Sequence, residues 1–221
     1  MAIKSVFFDI DGTLVDSNDM HVIAWSEAFR GIGVILSPET IHAQIGKGGD
    51  MLIPTLLPGA DEKTREILDD AHGRIFTERF LARVKAFPGA RELLVRVRDA
   101  GQRIVLASSA SQSDVDFYLD LLDAHDLVDA VTSADDVKNS KPAPDIFAAA
   151  LEKVSPHSAA EVIVVGDTPY DVEAARKCGI ATIGLRSGGF SDESLQDAGA
   201  IALYDGVAAL LADYEQSPLA K

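Results

Sequence analysis

The stretch Val6-Phe7-Phe8-Asp9-Ile10-Asp11-Gly12-Thr13-Leu14 limits what this chain can become more than any other. Lys4 to Phe8 is short and rich in Val and Phe, the composition of a strand buried on both faces. Asp9 and Asp11 stand where that strand should stop. Side chains alternate along a strand, so a two-residue spacing aims both carboxylates the same way. Two carboxylates sharing one space repel each other unless a cation lies between them or one holds a proton. Gly12 then gives the backbone a conformation other residues resist. Asp-Gly is also a common turn signal, so the rest of the chain has to decide.

The chain has 221 residues, enough for one core plus a small accessory domain. At 47% hydrophobic and 25% charged, it has the composition of a soluble globular protein. A formal net charge of -15 argues against nucleic acid and against an anionic membrane surface, both of which require clustered Lys and Arg. A phosphorylated small molecule would need a local cation or metal. Cys178 is the single cysteine, so no internal disulfide forms; a reducing, cytoplasmic setting is expected, with Cys178 as core filler. No apolar run reaches the length of a membrane span, and the first residues lack a signal-peptide pattern.

Residues 16–86 read as helices without a strand. Trp25, Ala28 and Phe29 share one face of a helix over Asn18 to Arg30. Ser37-Pro38-Glu39 starts another. Gly46-Lys47-Gly48-Gly49-Asp50 is a glycine-rich loop in which Asp50 is a candidate helix cap. Asp61 to Val84 is amphipathic through Ile67, Leu68, Ala71, Ile75 and Phe80. After Phe87-Pro88-Gly89 strands and helices alternate. Apolar runs at Arg103 to Ala107, Ala130 to Thr132, Glu161 to Val165 and Ile180 to Leu185 are each followed by a helical pattern. Such alternation predicts an α/β fold: a doubly wound parallel sheet covered by helices on both faces. The helical block then reads as an inserted α-helical cap, with residues 1–15 and 87–221 forming the core.

Parallel sheets bind ligands beyond the carboxyl ends of their strands. Three predicted strands end there in usable chemistry: Asp9 and Asp11; Ser108 and Ser109; Asp167, with Asp171 one helical turn on. Lys141 comes from a loop before a helix. Acidic oxygen ligands favour a hard cation such as Mg2+. A lysine and a hydroxyl suit phosphate oxygens, and a carboxylate facing phosphorus can serve as nucleophile. Ser108 also reads as a helix cap, Lys141 as a solvated lysine, Asp171 as an ordinary helical acid, and Arg186 with Gly188-Gly189 as plain loop.

The order Asp-x-Asp-Gly-Thr, Ser at a strand end, Lys-Pro, then Gly-Asp-x-x-x-Asp resembles the haloacid dehalogenase superfamily over nearly the whole chain. The helical insertion and the stretch His21…Trp25 resemble the phosphoglycolate phosphatase and β-phosphoglucomutase branch. The resemblance implies a Mg2+-dependent phosphatase acting on a small phosphate monoester through an aspartyl-phosphate. It makes Asp9 the nucleophile and a metal ligand. Asp11 becomes the acid and base, touching metal through its backbone carbonyl. Asp167 and Asp171 bind metal, while Ser108, Ser109 and Lys141, with the amides around Ile10 and Ser109, hold phosphate. His21 and Lys47 face the substrate from the cap. Asp11 argues against dehalogenation. The glycine loop lacks the arginine with which a phosphosugar mutase grips a second phosphate, which reduces that alternative. Lys47 keeps open a phosphonate hydrolase with a Schiff base, and a non-catalytic binding module on the same fold is the remaining alternative.

Overall fold

The computed structural model describes residues 2–221. The strands are β1 (Ser5–Phe8), β2 (Val15–Asp16), β3 (Lys85–Ala86), β4 (Arg103–Ala107), β5 (Ala130–Thr132), β6 (Val162–Gly166), β7 (Ala181–Leu185) and β8 (Ala202–Tyr204). The helices are α1 (Asn18–Gly31), α2 (Pro38–His42), α3 (Gly49–Leu56), α4 (Glu62–Arg79), α5 (Ala90–Asp99), α6 (Gln112–Leu122), α7 (Asp145–Lys153), α8 (Pro169–Lys177), α9 (Asp192–Ala198) and α10 (Val207–Ala212).

Six strands form one sheet in the order β5-β4-β1-β6-β7-β8, every pair parallel. The alternation of side chains explains why the strand sequences are mostly apolar. Val6 and Phe8 of β1 enter one hydrophobic core with Leu93 and Leu94 of α5, Tyr118 of α6 and Leu210 of α10. Phe7 between them enters another, with Phe147 of α7 and Ala174 and Ala175 of α8. Both faces being covered, a polar residue in the strand needs a partner: Ser5 is buried with its Oγ 2.7 Å from His157 Nδ1. β1 is central, and the chain winds outward from it on both sides, so the crevice for a ligand opens at its carboxyl end.

The helices between β2 and β3 have their own core of Val22, Trp25, Phe29, Ile41, Leu52, Ile53 and Leu68. Ser37 caps α2, its Oγ accepting from Thr40 N at 3.2 Å. Three sequence expectations need correction. Residues 16–86 are not wholly helical: β2 and β3 pair antiparallel, Asp16 opposite Lys85, at the two points where the chain enters and leaves the insertion. Runs of two residues carry too little periodicity to be read. Asp50 does not cap α3, whose N-cap is Gly48; its Oδ2 instead accepts from Ser140 N at 3.0 Å. Ile67 points outward, 48% exposed, while Leu68 and Phe76 carry the buried stripe of α4. No helix among the described residues is long and apolar enough to cross a membrane.

Leu68 is completely buried in the core of the inserted helices. Leu68→Ala should destabilise the protein by about 2–5 kcal/mol, the range for cavity-forming core truncations, read as a lowered urea midpoint.

Candidate active site

β1 ends at Phe8, and the next residues turn over the edge of the sheet. Asp9 is 5% exposed, and Lys141, from the loop before α7, is buried beside it and donates to Asp9 Oδ1. The same ammonium lies 2.7 Å from Asp171 Oδ1 and donates to Ala107 O at 3.1 Å. Burial disfavours a charged lysine, but the two carboxylates outweigh it and hold Lys141 above its ordinary pKa. The solvated-lysine reading therefore fails for this residue.

Asp167 follows β6, and Asp171 lies in the first turn of α8, both completely buried. Carboxylate oxygens of Asp9, Asp167 and Asp171 gather within 4.8 Å of one another. Burial, with the neighbouring acids, pushes Asp9 well above the usual carboxylate range, and pushes Asp167 up to about 7. Three crowded, oxygen-only carboxylates, of which Asp9 and Asp167 resist ionising, are the donor set of a hard divalent cation, and the residues present fit one. Asp171 Oδ2 is taken by Thr168 Oγ1 at 2.6 Å, which also caps α8.

Asp167 is held by donors on both oxygens: Thr13 Oγ1 at 2.8 Å and Asn18 Nδ2 at 3.0 Å. Gly12 makes this possible. Its φ is +75°, and a Cβ there would lie 2.2 Å from Asp167 Oδ2 and 2.3 Å from Asn18 Nδ2.

Asp11 stands apart from this cluster. Its Oδ1 accepts from Ser17 Oγ (2.6 Å) and Tyr118 Oη (2.9 Å), and His21 Nε2 lies at 3.2 Å. Burial pushes Asp11 up, but the bonds from His21, Ser17 and Tyr118 reverse it, leaving its pKa below the ordinary value. Three groups converge on Oδ1, which leaves Oδ2 without a donor. His21 is stacked on Phe76 and hydrogen-bonded through Nδ1 to His72 Nε2 at 3.2 Å. His72 is stacked in turn on Trp25, and burial together with His21 keeps its pKa well down.

The remaining expected site residues lie around the same edge. Ser108 is buried, its Oγ accepting from Ala110 N at 3.0 Å; it does not cap α6, a role taken by Ser111. Ser109 Oγ donates to Gly46 O at 3.4 Å. Lys47 donates to Gln44 Oε1 at 2.6 Å and sits over the Tyr170 ring. Arg186 is no plain loop residue: it pairs with Asp192 and Asp205. Cys178 packs against the second core. A cavity of about 480 Å³ runs between the sheet edge and the inserted helices, lined by Asp9, Asp11, His21, Lys47 and Ser109 among others.

Thr13, Ser17, Asn18, His72 and Tyr118 escaped the sequence reading. Ser17 stands at the N-cap position of α1 without a side-chain cap bond, and its hydroxyl serves Asp11 instead. Tyr118 and His72 sit inside amphipathic helices, where nothing in the pattern separates them from core residues.

The pattern of the haloacid dehalogenase-like hydrolase family matches residues 6–185. The chain belongs to that family. Within it, the similarities fall in the phosphoglycolate phosphatase and β-phosphoglucomutase branch. The chain is 32% identical over 190 residues to a phosphoglycolate phosphatase of Nitrosospira multiformis, covering 81% of each protein. A hydrolase structure from Pseudomonas syringae superposes with a TM-score of 0.90 at 32% identity, covering 97% of this chain and 98% of that one. A Bacteroides vulgatus structure named for β-phosphoglucomutase gives 0.89 at 26% identity, covering 100% and 91%. The chain also matches Protein SUPPRESSOR OF QUENCHING 1 of Arabidopsis thaliana at 30% identity over 215 residues, but spans only 20% of its length.

Asp167 gives a pH signature for the metal-free protein. Its folded pKa of about 7 exceeds the ordinary value of 3.8, so the folded state binds the extra proton. The stability this proton confers is present below the unfolded pKa and is lost as pH rises through the folded one. Urea stability measured in EDTA should therefore decline from this group between those two pH values, and Mg2+ should restore it at neutral pH. A decline of the same size in Asp167→Asn would contradict the assignment.

Proposed function

We propose that the chain is a Mg2+-dependent phosphatase that hydrolyses a small phosphorylated metabolite, a phosphate monoester of the phosphoglycolate or sugar-phosphate type, through an aspartyl-phosphate on Asp9. The observation that carries this is the buried Lys141 beside Asp9 and Asp171, with Asp167 completing the acid cluster and with Asp9 and Asp11 both lining one cavity. Asp9, Asp167 and Asp171 would hold Mg2+, joined by the Asp11 backbone carbonyl. When bound, the ion neutralises the acids and the phosphoryl oxygens.

One Asp9 carboxylate oxygen attacks phosphorus and the ester oxygen leaves, taking from Asp11 Oδ2 a proton that Asp11 must first take up from solvent, because its neighbours favour the ionised form. Asp11, now a carboxylate, accepts a proton from water as that water attacks the phosphorus of the aspartyl-phosphate. Phosphate departs and Asp9 is regenerated. Lys141 holds Asp9 in place and lends positive charge, and the Ser108 hydroxyl with the amides around Ile10 and Ser109 holds phosphoryl oxygens. Residues 16–86 act as a cap over a core of 1–15 and 87–221, excluding water when closed. His21 supports Asp11 from the cap. Lys47 is directed onto Gln44 and Tyr170, which disfavours a second-phosphate grip and a Schiff base, although burial lowers its pKa. The single cysteine supports a cytoplasmic setting.

Phosphate release from a panel of small monoesters should require Mg2+ and stop with EDTA, and Asp9→Asn should abolish it without changing the circular dichroism spectrum. Full activity in that variant would sink the nucleophile assignment. Tyr118→Phe removes one donor from ionised Asp11, so the Asp11 pKa rises. Where water activation limits the rate, the acidic limb of the kcat profile should move to higher pH; an unmoved limb would count against Asp11 as the base.

A further inference from the structure

The glycine loop Gly46–Asp50 is bonded to the core, and its partners there are not scattered. Asp50 stands in the first turn of α3, which Leu52 and Ile53 anchor in the core of the inserted helices. Its Oδ2 accepts from Ser140 N at 3.0 Å, and Gly48 N donates to Ser140 Oγ at 2.9 Å. Backbone and side chain of one core residue are thus both held from the insertion. That residue immediately precedes Lys141.

The other seats of the loop have the same character. A Cβ on Gly48 would lie 2.8 Å from Ser140 Cβ, and one on Gly46 would lie 2.7 Å from Thr168 Cγ2. Both glycines therefore permit an approach that a side chain would block. Thr168 is the residue whose hydroxyl holds Asp171 Oδ2. Just ahead of the loop, His42 Nε2 lies 2.9 Å from Gly188 O. A Cβ on Gly188 would lie 2.0 Å from Asp167 Oδ2. Each of these core residues adjoins or touches Lys141, Asp171 or Asp167.

Of those three, Lys141 depends most on its backbone. Its ammonium is shared among Asp9, Asp171 and Ala107 O at the end of a flexible stem. Where the ammonium sits follows from where the chain at Ser140 and Lys141 is fixed. Ser140 is buried, and a buried amide without an acceptor costs about as much as a lost hydrogen bond. If Asp50 withdraws, the Ser140 amide has to turn to water, and the segment carrying Lys141 moves with it.

We propose that Asp50 is a positioning residue: through Ser140 it sets the Lys141 ammonium between Asp9 and Asp171, so the phosphate end of the cavity is complete only while the glycine loop is seated on the core. This rests on the phosphatase reading only for the phosphate at Lys141. The glycines of the loop then serve its docking on the core.

Binding of inorganic orthovanadate to the Mg2+-loaded full chain reads the phosphate end without turnover. Asp50→Ala removes the acceptor for Ser140 N and should weaken vanadate about tenfold, the size of one hydrogen bond to a charged group. Charge alone predicts the opposite sign, because losing a carboxylate from the cavity wall favours an anion. Asp50→Asn loses the same charge but keeps an acceptor oxygen, and should bind vanadate as the parent protein does. Gly48→Ala drives a methyl group against Ser140 and should weaken vanadate as Asp50→Ala does. Gly31→Ala, where a Cβ meets nothing within 4 Å, should change nothing. A vanadate affinity unmoved or raised by Asp50→Ala overturns the proposal. So does an equal loss in Asp50→Asn, or no binding by the parent protein. The expected pattern in a protein that releases no phosphate from any monoester would count against the phosphatase reading alone. Phosphate release with vanadate binding indifferent to Asp50→Ala would count against the positioning role alone.

Discussion

Everything at the sheet edge depends on one buried ammonium. Lys141 is 1% exposed and lies against Asp9 and Asp171, with Asp167 completing a group of acids within 4.8 Å. At that separation two carboxylates repel by about 3–4 kcal/mol at an effective dielectric of about 20. One lysine cannot offset three such charges, so Asp9 and Asp167 hold protons more tightly than free carboxylates do. Removing one partner of a buried pair destabilises by about 3–5 kcal/mol because it leaves the other charge uncompensated. The cluster is therefore stable in two ways only, with a proton or with an added cation, and a divalent ion is the natural way at neutral pH.

The second consequence is that Asp9 and Asp11 are pushed in opposite directions by different neighbours. Asp9 faces a lysine and two other acids, while Asp11 faces Ser17, Tyr118 and His21. The two residues are separated only by Ile10, whose side chain enters the main core and turns the backbone between them. Donors to Asp11 come from both parts of the chain: Tyr118 from α6, His21 from α1 and Ser17 from the link between β2 and α1. Asn18 on α1 likewise reaches Asp167. Helix α1 thus bonds directly to Asp11 and to Asp167, so any motion of α1 relative to the sheet alters the surroundings of both.

How much of this could be read from the sequence follows from the same distinction. The strands were legible because both faces of the sheet are covered, which makes Val162-Ile163-Val164-Val165 and its counterparts uninterrupted apolar runs. The acids and Lys141 were legible because they punctuate strand ends and a Lys-Pro loop in a fixed order. The residues that tune them were not. Tyr118 is fully buried in the main core, and only its hydroxyl reveals its second role. His72 has meaning only beside His21, 51 positions away. Asp50 carries the signature of a helix cap, yet its carboxylate reaches across to Ser140. Periodicity reports which face of an element is buried; it does not report what a polar atom on that face will meet.

The net charge of -15 fits this picture better than it first suggests. A phosphorylated metabolite approaching an acidic protein is disfavoured at long range, although at physiological salt charges beyond about 8 Å are largely screened. Attraction therefore has to be local, and Lys141 with a cation held by Asp9, Asp167 and Asp171 would supply it at the sheet edge. The glycine loop adds little to it, presenting only Lys47 and Asp50 as polar side chains on the cavity wall, so the charges at the sheet edge dominate the field inside.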